Sequence, residues 1–533
     1  MKTLQDYNKE QNGAAYKENL AALVDNRLKS LDFELYNPHH IEFVDYAHPD
    51  GRRTYLRSLS FLLQRAVVAL FPEATLRISF AVANSLYCDL VFPDARAETD
   101  QDLAHLEAYM HQLVEKDLPF THQKLPTDQA VALFQANGRT QKALLQKTRG
   151  HFFTSVYYLD GYADTFYGPL VPSTGYLTLF RLVRFHNGFL LQYPMPDDKT
   201  KLDPTPKLHK LTVVFEEYIH WANVIKVKDI GSLNQKIQEG NTKDLILISE
   251  AFHGRRYAAI ADMIYVNRKD VKLVLIAGPS SSGKTTTSNR IANQLRVLGM
   301  NPIVIEMDNY FHNREDTPRD ANGEFDFECL GAMDVPFLNQ QLKQLLNGET
   351  VEIPKFDFKK GARTFDGTKL TLGENEVLIM EGIHGLNPAL TADIPAHRKF
   401  KVYASALTSL AMDETNRIST TDTRMIRRMV RDAKHRGTTA EETILRWNSI
   451  SRGERQNIFP YQEEADVMFN SAMPYEISVL KYYAEPLLRQ IPPRSPAYPD
   501  ALRLLNFLSY FTPIHPEDEK YIPYTSVLRE FIS

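Results

Sequence analysis

Cysteine is nearly absent from this sequence. The 533-residue chain holds two, Cys88 and Cys329, far apart along it. Such a pair supports neither a disulfide framework nor a cysteine-rich zinc site, and it suits a reducing compartment. Long apolar runs are missing as well. No stretch approaches the roughly 20 apolar residues that cross a bilayer, and the opening Met1-Lys2-Thr3-Leu4-Gln5-Asp6 has no apolar signal core. A cytoplasmic protein with no membrane partner is therefore expected. Charge of one sign is not in excess either. With 62 Lys and Arg against 66 Asp and Glu, the net charge of −4 creates no global basic field for nucleic acid or anionic lipid, although a local patch is compatible with it. No repeat or low-complexity tract interrupts the chain. What remains is an ordinary globular composition, 43% apolar and 24% charged, long enough for several domains.

Against that plain background one stretch stands out. Gly278-Pro279-Ser280-Ser281-Ser282-Gly283-Lys284-Thr285 fills every position of the G-x-x-x-x-G-K-[ST] phosphate loop. The apolar run Lys272 to Ala277 before it suits a buried parallel strand. Thr286 to Leu298 after it carries Ile291, Leu295 and Leu298 at helical spacing. Strand, glycine loop and helix start thus follow in the order a triphosphate cradle needs. Gly278, Ser280, Ser281, Ser282, Gly283, Lys284, Thr285 and Thr286 are the expected ATP-binding residues. Lys284 would reach the β- and γ-phosphates and the Thr285 hydroxyl would bind Mg²⁺.

More than 250 residues precede this loop. Residues 1–50 offer a polar helix and short strands near Ala21-Leu23 and Glu42-Val44. Leu59, Leu62, Leu63, Val67 and Leu70 mark a strong amphipathic helix over 55–71. Leu76–Phe80 and Leu86–Leu90 read as strands. Asp100–Glu115 and Thr127–Ala136 read as helices, with Thr127 as the expected N-cap. Residues 152–191 are aromatic-rich and broken by glycine and proline, the pattern of a sheet with tight turns. A helical connector follows from about 210 to 265, and a strand–helix alternation from 272 onward predicts a doubly wound parallel sheet. Beyond Pro492-Pro493-Arg494-Ser495-Pro496 a small helical appendage is expected.

Three features after the phosphate loop carry candidate chemistry. The apolar strand Pro302–Met307 ends at Asp308, at the strand end that faces the ligand crevice in such sheets. Asp308 could be the general base for an acceptor hydroxyl, could support Mg²⁺, or could be a plain turn acid. The strand Val377–Met380 ends at Glu381, a Walker B-like position for Mg²⁺, bound directly or through water. Then Arg424, Arg427, Arg428 and Arg431 fall along one helical face within 422–437. They read either as a phosphate-closing lid, with Arg424, Arg428 and Arg431 catalytic, or as a solvated basic face.

The ordered set resembles the uridine kinase and phosphoribulokinase family of P-loop kinases over 272 to about 475. The matching pieces are Gly278–Thr285, Asp308-Asn309-Tyr310-Phe311, Phe325-Asp326, Lys355-Phe356-Asp357-Phe358 with Arg363, Glu381-Gly382-Ile383, Asp422-Thr423-Arg424 to Arg431-Asp432, and Ala465-Asp466-Val467. The resemblance implies that Asp308 is the base on a 5′-hydroxyl and that Asp326 holds ribose hydroxyls. It further implies that Glu381 helps bind Mg²⁺ and that the arginine helix is a lid. Phe311, Phe356, Arg363 and Arg424 would line the acceptor site. One departure matters. The family's base-contacting histidine is replaced by Gly361, and Phe356 stands where tyrosine is usual, so two polar handles on a pyrimidine are missing unless Lys359 or Lys360 supplies one.

Residues 1 to about 195 resemble the TGS and editing-type second domains of threonyl-tRNA synthetase, through Asp117-Leu118-Pro119-Phe120, Gly168-Pro169 and Val171-Pro172. The TGS part looks short at its start. Aligning the editing domain's four metal-type positions gives Phe61, Arg65, Phe166 and Leu170, none of which binds zinc as His and Cys do. The resulting expectation is an α/β chain with five parts: a truncated TGS-like domain (1–50), an editing-like α+β domain without its metal site (51–205), a helical connector (206–265), a P-loop kinase domain with a doubly wound parallel sheet (266–480) and a C-terminal helical part (481–533). Its expected activity is ATP- and Mg²⁺-dependent phosphorylation of a small-molecule hydroxyl, foremost the 5′-hydroxyl of a nucleoside. A sugar or polyol kinase is the alternative within the class, and an RNA-binding regulatory NTPase the less favoured one outside it. A homo-oligomer is expected.

Overall fold

The computed structural model describes residues 2–36, 39–319, 323, 325–357, 360–408 and 410–533. Phe358 and Lys359 of the kinase motifs therefore lie outside the described residues. The chain opens with the helix Leu4–Asn12, capped by Thr3, against a three-stranded antiparallel sheet ordered Arg27–Lys29, Asn19–Val24, Ile41–Asp45. The helix Pro49–Leu70 follows, longer at its start than the apolar spacing predicts because His48 caps it and Pro49 opens it. It packs on a four-stranded antiparallel sheet ordered Thr75–Ala81, Ser85–Val91, Gly188–Gln192, Arg181–Phe185. Leu76 and Ile78 pack in the cluster that includes that helix, and a register shift after Ile78 sends Phe80 to a second cluster with Tyr87 and Phe215. Thr127 does not cap its helix: Pro126 holds the N-cap position, and the Thr127 hydroxyl instead meets the Thr154 hydroxyl at 3.1 Å.

Phe61, Phe166 and Leu170 lie in one apolar cluster, with the two phenyl rings 5.1 Å apart. Arg65 does not join them; its guanidinium turns to Asp160 at 2.7 Å. The cation beside the cluster is Arg57, one turn before Phe61, whose Nε and Nη2 donate to the Pro169 carbonyl at 3.1 and 3.0 Å. Successive turns of a helix present look-alike registers, so a sequence alignment slides by four residues without penalty.

The kinase region is a five-stranded parallel sheet ordered Asn301–Glu306, Glu376–Glu381, Leu273–Ala277, Lys399–Ser405, Val467–Asn470. All five residues of Leu273–Ala277 are buried, because helices cover both faces. Val274 and Ile276 pack toward Ile291 and Leu295 of the phosphate-loop helix and Ile260 and Ile264 of the connector helix Thr242–Val266. Leu273 and Leu275 face Leu338, Leu342 and Leu345 of the opposite helix Val335–Leu346.

The two halves are joined by buried contacts. Phe80 stacks on Phe215 of the connector helix His209–Val224, ring centroids 4.1 Å apart, and this cluster continues to Tyr403 and Met468 beside the kinase sheet. Lys142 is fully buried between Asp164 of the N-terminal half and Asp413 of the kinase half, the latter at 3.1 Å. Burial lowers the Lys142 pKa, and the two carboxylates more than offset that, so the ammonium is held charged. The C-terminal segment is helical but not peripheral. Leu504, Leu508, Phe531 and Ile532 share a core with Met425, Ile426, Met429 and Val430 of the arginine helix Thr420–His435. Among the described residues no helix is long and apolar enough to cross a membrane.

Candidate active site

The phosphate loop leaves the central strand where only glycine fits. A Cβ on Gly278 would lie 1.8 Å from the Ala404 carbonyl oxygen of the neighbouring strand. Gly283, at φ +82°, then turns the chain into the helix Lys284–Val297 with no side-chain cap. The first-turn amides are thus left for an anion. Among the described residues the buried Ser281 and Ser282 hydroxyls have no hydrogen-bond partner. Lys284 Nζ donates to the Pro279 carbonyl at 3.2 Å.

Carboxylates gather around Lys284. Thr285 Oγ1 donates to Glu381 Oε1 at 2.6 Å, at the end of the adjacent strand. Asp308 sits in the short turn Met307–Tyr310 after the edge strand. Burial pushes Asp308 up to about 6 and Glu381 up to about 7, each against the pull of Lys284. Glu328, two residues beyond Asp326, is likewise raised to about 7 by burial and by Glu454, with Arg428 and Lys284 opposing. A crowd of acids facing one lysine is short of positive charge.

The arginine helix lies down on the loop rather than in solvent. Arg424 forks onto Glu454, with one contact at 2.7 Å, and donates to the Ser280 carbonyl at 3.1 Å; Glu454 also accepts from the Ser280 amide at 3.0 Å. Arg427 is fully buried, paired with Glu476 and donating to the Ser471 carbonyl at 2.9 Å. Arg428 donates to the Ser280 hydroxyl at 2.6 Å. Arg431 is held by Asp432 at 2.8 Å. So Arg424 and Arg427 are fixed in ion pairs that position the loop, while Arg428 also lines a cavity of about 360 Å³ with Asp326 and Glu328.

Beyond Asp308 the Phe311 and Phe356 rings meet edge-on, 5.9 Å apart, and the Phe356 amide donates to Asn309 Oδ1 at 3.1 Å. Arg363 pairs with Asp334 at 2.9 Å. Gly361, at φ +66°, has no room for a side chain, since a Cβ there would lie 2.8 Å from Arg314 Nε. Lys360 is exposed beside Asp357, 3.9 Å away. His384 is fully buried near Asp326 and Cys329, and burial lowers it to about 4. Sequence reading missed Glu328, Glu454 and His384. Glu328 and His384 lie beside motif residues and were open to notice; Glu454 reaches the loop only through the fold.

A parallel sheet with a phosphate loop at the carboxyl end of its central strand, faced by acids and an arginine helix, defines a P-loop kinase domain. Residues 273–478 match the Phosphoribulokinase / Uridine kinase family, and this C-terminal domain is a member of it. A solved structure titled a "possible uridine kinase" from Bacillus stearothermophilus aligns with 38% of this chain and 89% of its own, at 19% identity and a TM-score of 0.25. The N-terminal region is similar to threonine–tRNA ligases. That of Teredinibacter turnerae is 34% identical over 169 residues, and that of Acidithiobacillus ferrooxidans 36% over 167. These matches span 32% and 31% of this chain, and the chain covers about a quarter of each ligase, 26%.

Proposed function

We propose that the chain is an ATP- and Mg²⁺-dependent kinase for a hydroxyl of a small molecule, either a nucleoside 5′-hydroxyl read without strict pyrimidine preference or a polyol without a base. The observation that carries this reading is Asp308 after the edge strand and Lys284 at the phosphate loop: a base for an acceptor and a cation for a donor, close enough for the ammonium to pull on the carboxylate.

The residues present fit Mg²⁺. The Thr285 hydroxyl and the Glu381 carboxylate are oxygen ligands already in contact. Among the described residues no cluster of three or more acids, histidines or cysteines could hold a metal by itself. That is the sparse set Mg²⁺ uses when phosphates complete its shell. Bound there, it would neutralise charge on the β- and γ-phosphates. Lys284 and the loop amides hold the phosphates, Asp308 accepts the proton of the acceptor hydroxyl, and Arg428 offers charge to the transferring group. Asp326 lines the cavity where sugar hydroxyls would lie. Gly361 and Phe356 carry no side-chain group that hydrogen-bonds a base, which supports weak discrimination between bases.

ADP release measured with uridine, cytidine, inosine, guanosine, free sugars and cyclitols tests the reading. Release that depends on one of the non-pyrimidine acceptors supports it. A large preference for uridine and cytidine would overturn the specificity part. Release indifferent to every acceptor, with salt-sensitive RNA retention, would favour an RNA-binding NTPase.

A further inference from the structure

A second cavity lies away from the kinase site. Its volume is about 220 Å³, and it is lined from the N-terminal half by Arg53, Arg57 and Tyr167 and from the kinase half by Arg417, Ser419 and Thr421. Arg57 is only 9% exposed. Its Nε and Nη2 are taken by the Pro169 carbonyl and the Thr54 hydroxyl, and among the described residues its Nη1 has no hydrogen-bond partner. Among the described residues no carboxylate reaches Arg57 within ion-pair distance, whereas Arg53 is paired with Asp50 at 2.6 Å and Asp500 at 3.2 Å. Gly168 makes room for the guanidinium: a Cβ there would lie 2.6 Å from Arg57 Cζ. Burial lowers Arg57 to about 10, the mark of a cation short of counter-charge.

Two further features face the same space. Among the described residues Arg417 donates only to the Ile418 carbonyl, at 3.4 Å, and forms no ion pair. Ser419 is the N-cap of the arginine helix, so the positive end of that helix opens here. Asp422 also lines the cavity, but its carboxylate is bound by Arg503 at 2.7 Å.

We propose that this cavity is a binding site for the oxyanion of a small molecule, a phosphoryl or carboxylate group, held between Arg57, Arg417 and the start of the arginine helix. A buried guanidinium with one free N–H edge, a second unpaired guanidinium and a helix N-terminus form one converging set of donors. The occupant would touch both halves of the chain. It would also brace the helix that carries Arg424, Arg427 and Arg428 onto the phosphate loop, which makes the site an effector position.

Calorimetric titration of the full chain with inorganic phosphate, and separately with acetate, tests this. Saturating ADP keeps the phosphate loop filled. Wild type is expected to bind one of the two probes in the millimolar range or tighter, with slowed amide exchange in residues 415–425. Arg57→Met and Arg417→Gln should each weaken that binding about tenfold or more, the scale of one lost charge-assisted contact. Phosphate binding without acetate binding points to a phosphorylated occupant, and the reverse to a carboxylate. Absence of binding by wild type, or unchanged binding in Arg417→Gln, overturns the proposal, and the latter variant decides it even if Arg57→Met fails to fold.

Discussion

The Thr286 hydroxyl donates to Glu530 Oε2 at 2.8 Å, joining the first turn of the phosphate-loop helix to the C-terminal tail. Val527 lies against the same turn, so close that a Cβ on Gly283 would sit 2.5 Å from its Cγ2. A carboxylate thus occupies the flank of an anion-binding helix end. Donor phosphates must share that field or displace the acid. Glu530→Gln is expected to lower the KM for ATP about three- to tenfold, from the usual worth of a charge at a helix terminus, with kcat little changed. Steady-state ATP titrations check it, and an unchanged or raised KM would remove Glu530 from the nucleotide's surroundings.

Asp308→Asn should cut kcat by roughly 10²–10⁴ while nucleotide binding persists, because a general base acts on the acceptor. Lys284→Ala should weaken ATP binding together with turnover. The active form of Asp308 is the carboxylate, and burial raises its pKa to about 6. Turnover should therefore fall as pH drops through about 6, rather than near the ordinary value of 4. A kcat profile flat down to pH 5 would show that another group takes the proton.

Much of this site was legible in the sequence, and the reason is local. The phosphate loop, Asp308 and Glu381 each sit at a strand end, where an apolar run stops and a polar residue begins. Such boundaries are written in adjacent residues. Glu454 and Glu530 were not legible, since each reaches the loop through packing of distant helices. The same limit hid the setting of the arginines. Spacing showed that they share a face, but whether that face meets water or glutamates is decided by Glu454 and Glu476, which no helical period announces.

Arg427→Met leaves the Glu476 carboxylate buried without its partner. Removing one member of a buried pair costs about 3–5 kcal/mol. Urea denaturation should show that loss in Arg427→Met, and Arg427→Met combined with Glu476→Leu should recover much of it. A double variant as unstable as the single would mean that the bonds of Arg427 to Ser471, not its charge, hold the helix down.

Gly361→His should not restore pyrimidine preference. The position combines φ +66° with the Arg314 side chain where a Cβ would go. A non-glycine residue there costs about 1 kcal/mol in backbone strain alone, and Arg314 must also move. The expected result is a less stable protein with unchanged uridine-to-inosine kcat/KM ratio. A ratio raised tenfold or more would show that the pocket accepts the imidazole after all.

Lys142 has a consequence for how the two halves stay together. Its ammonium answers one acid from each half of the chain, Asp164 and Asp413, and all three are out of water. A change at any one of the three leaves an unmatched charge at a dry junction. The seam between the halves is thus kept by mutual dependence: each side holds a charge that only the other side answers.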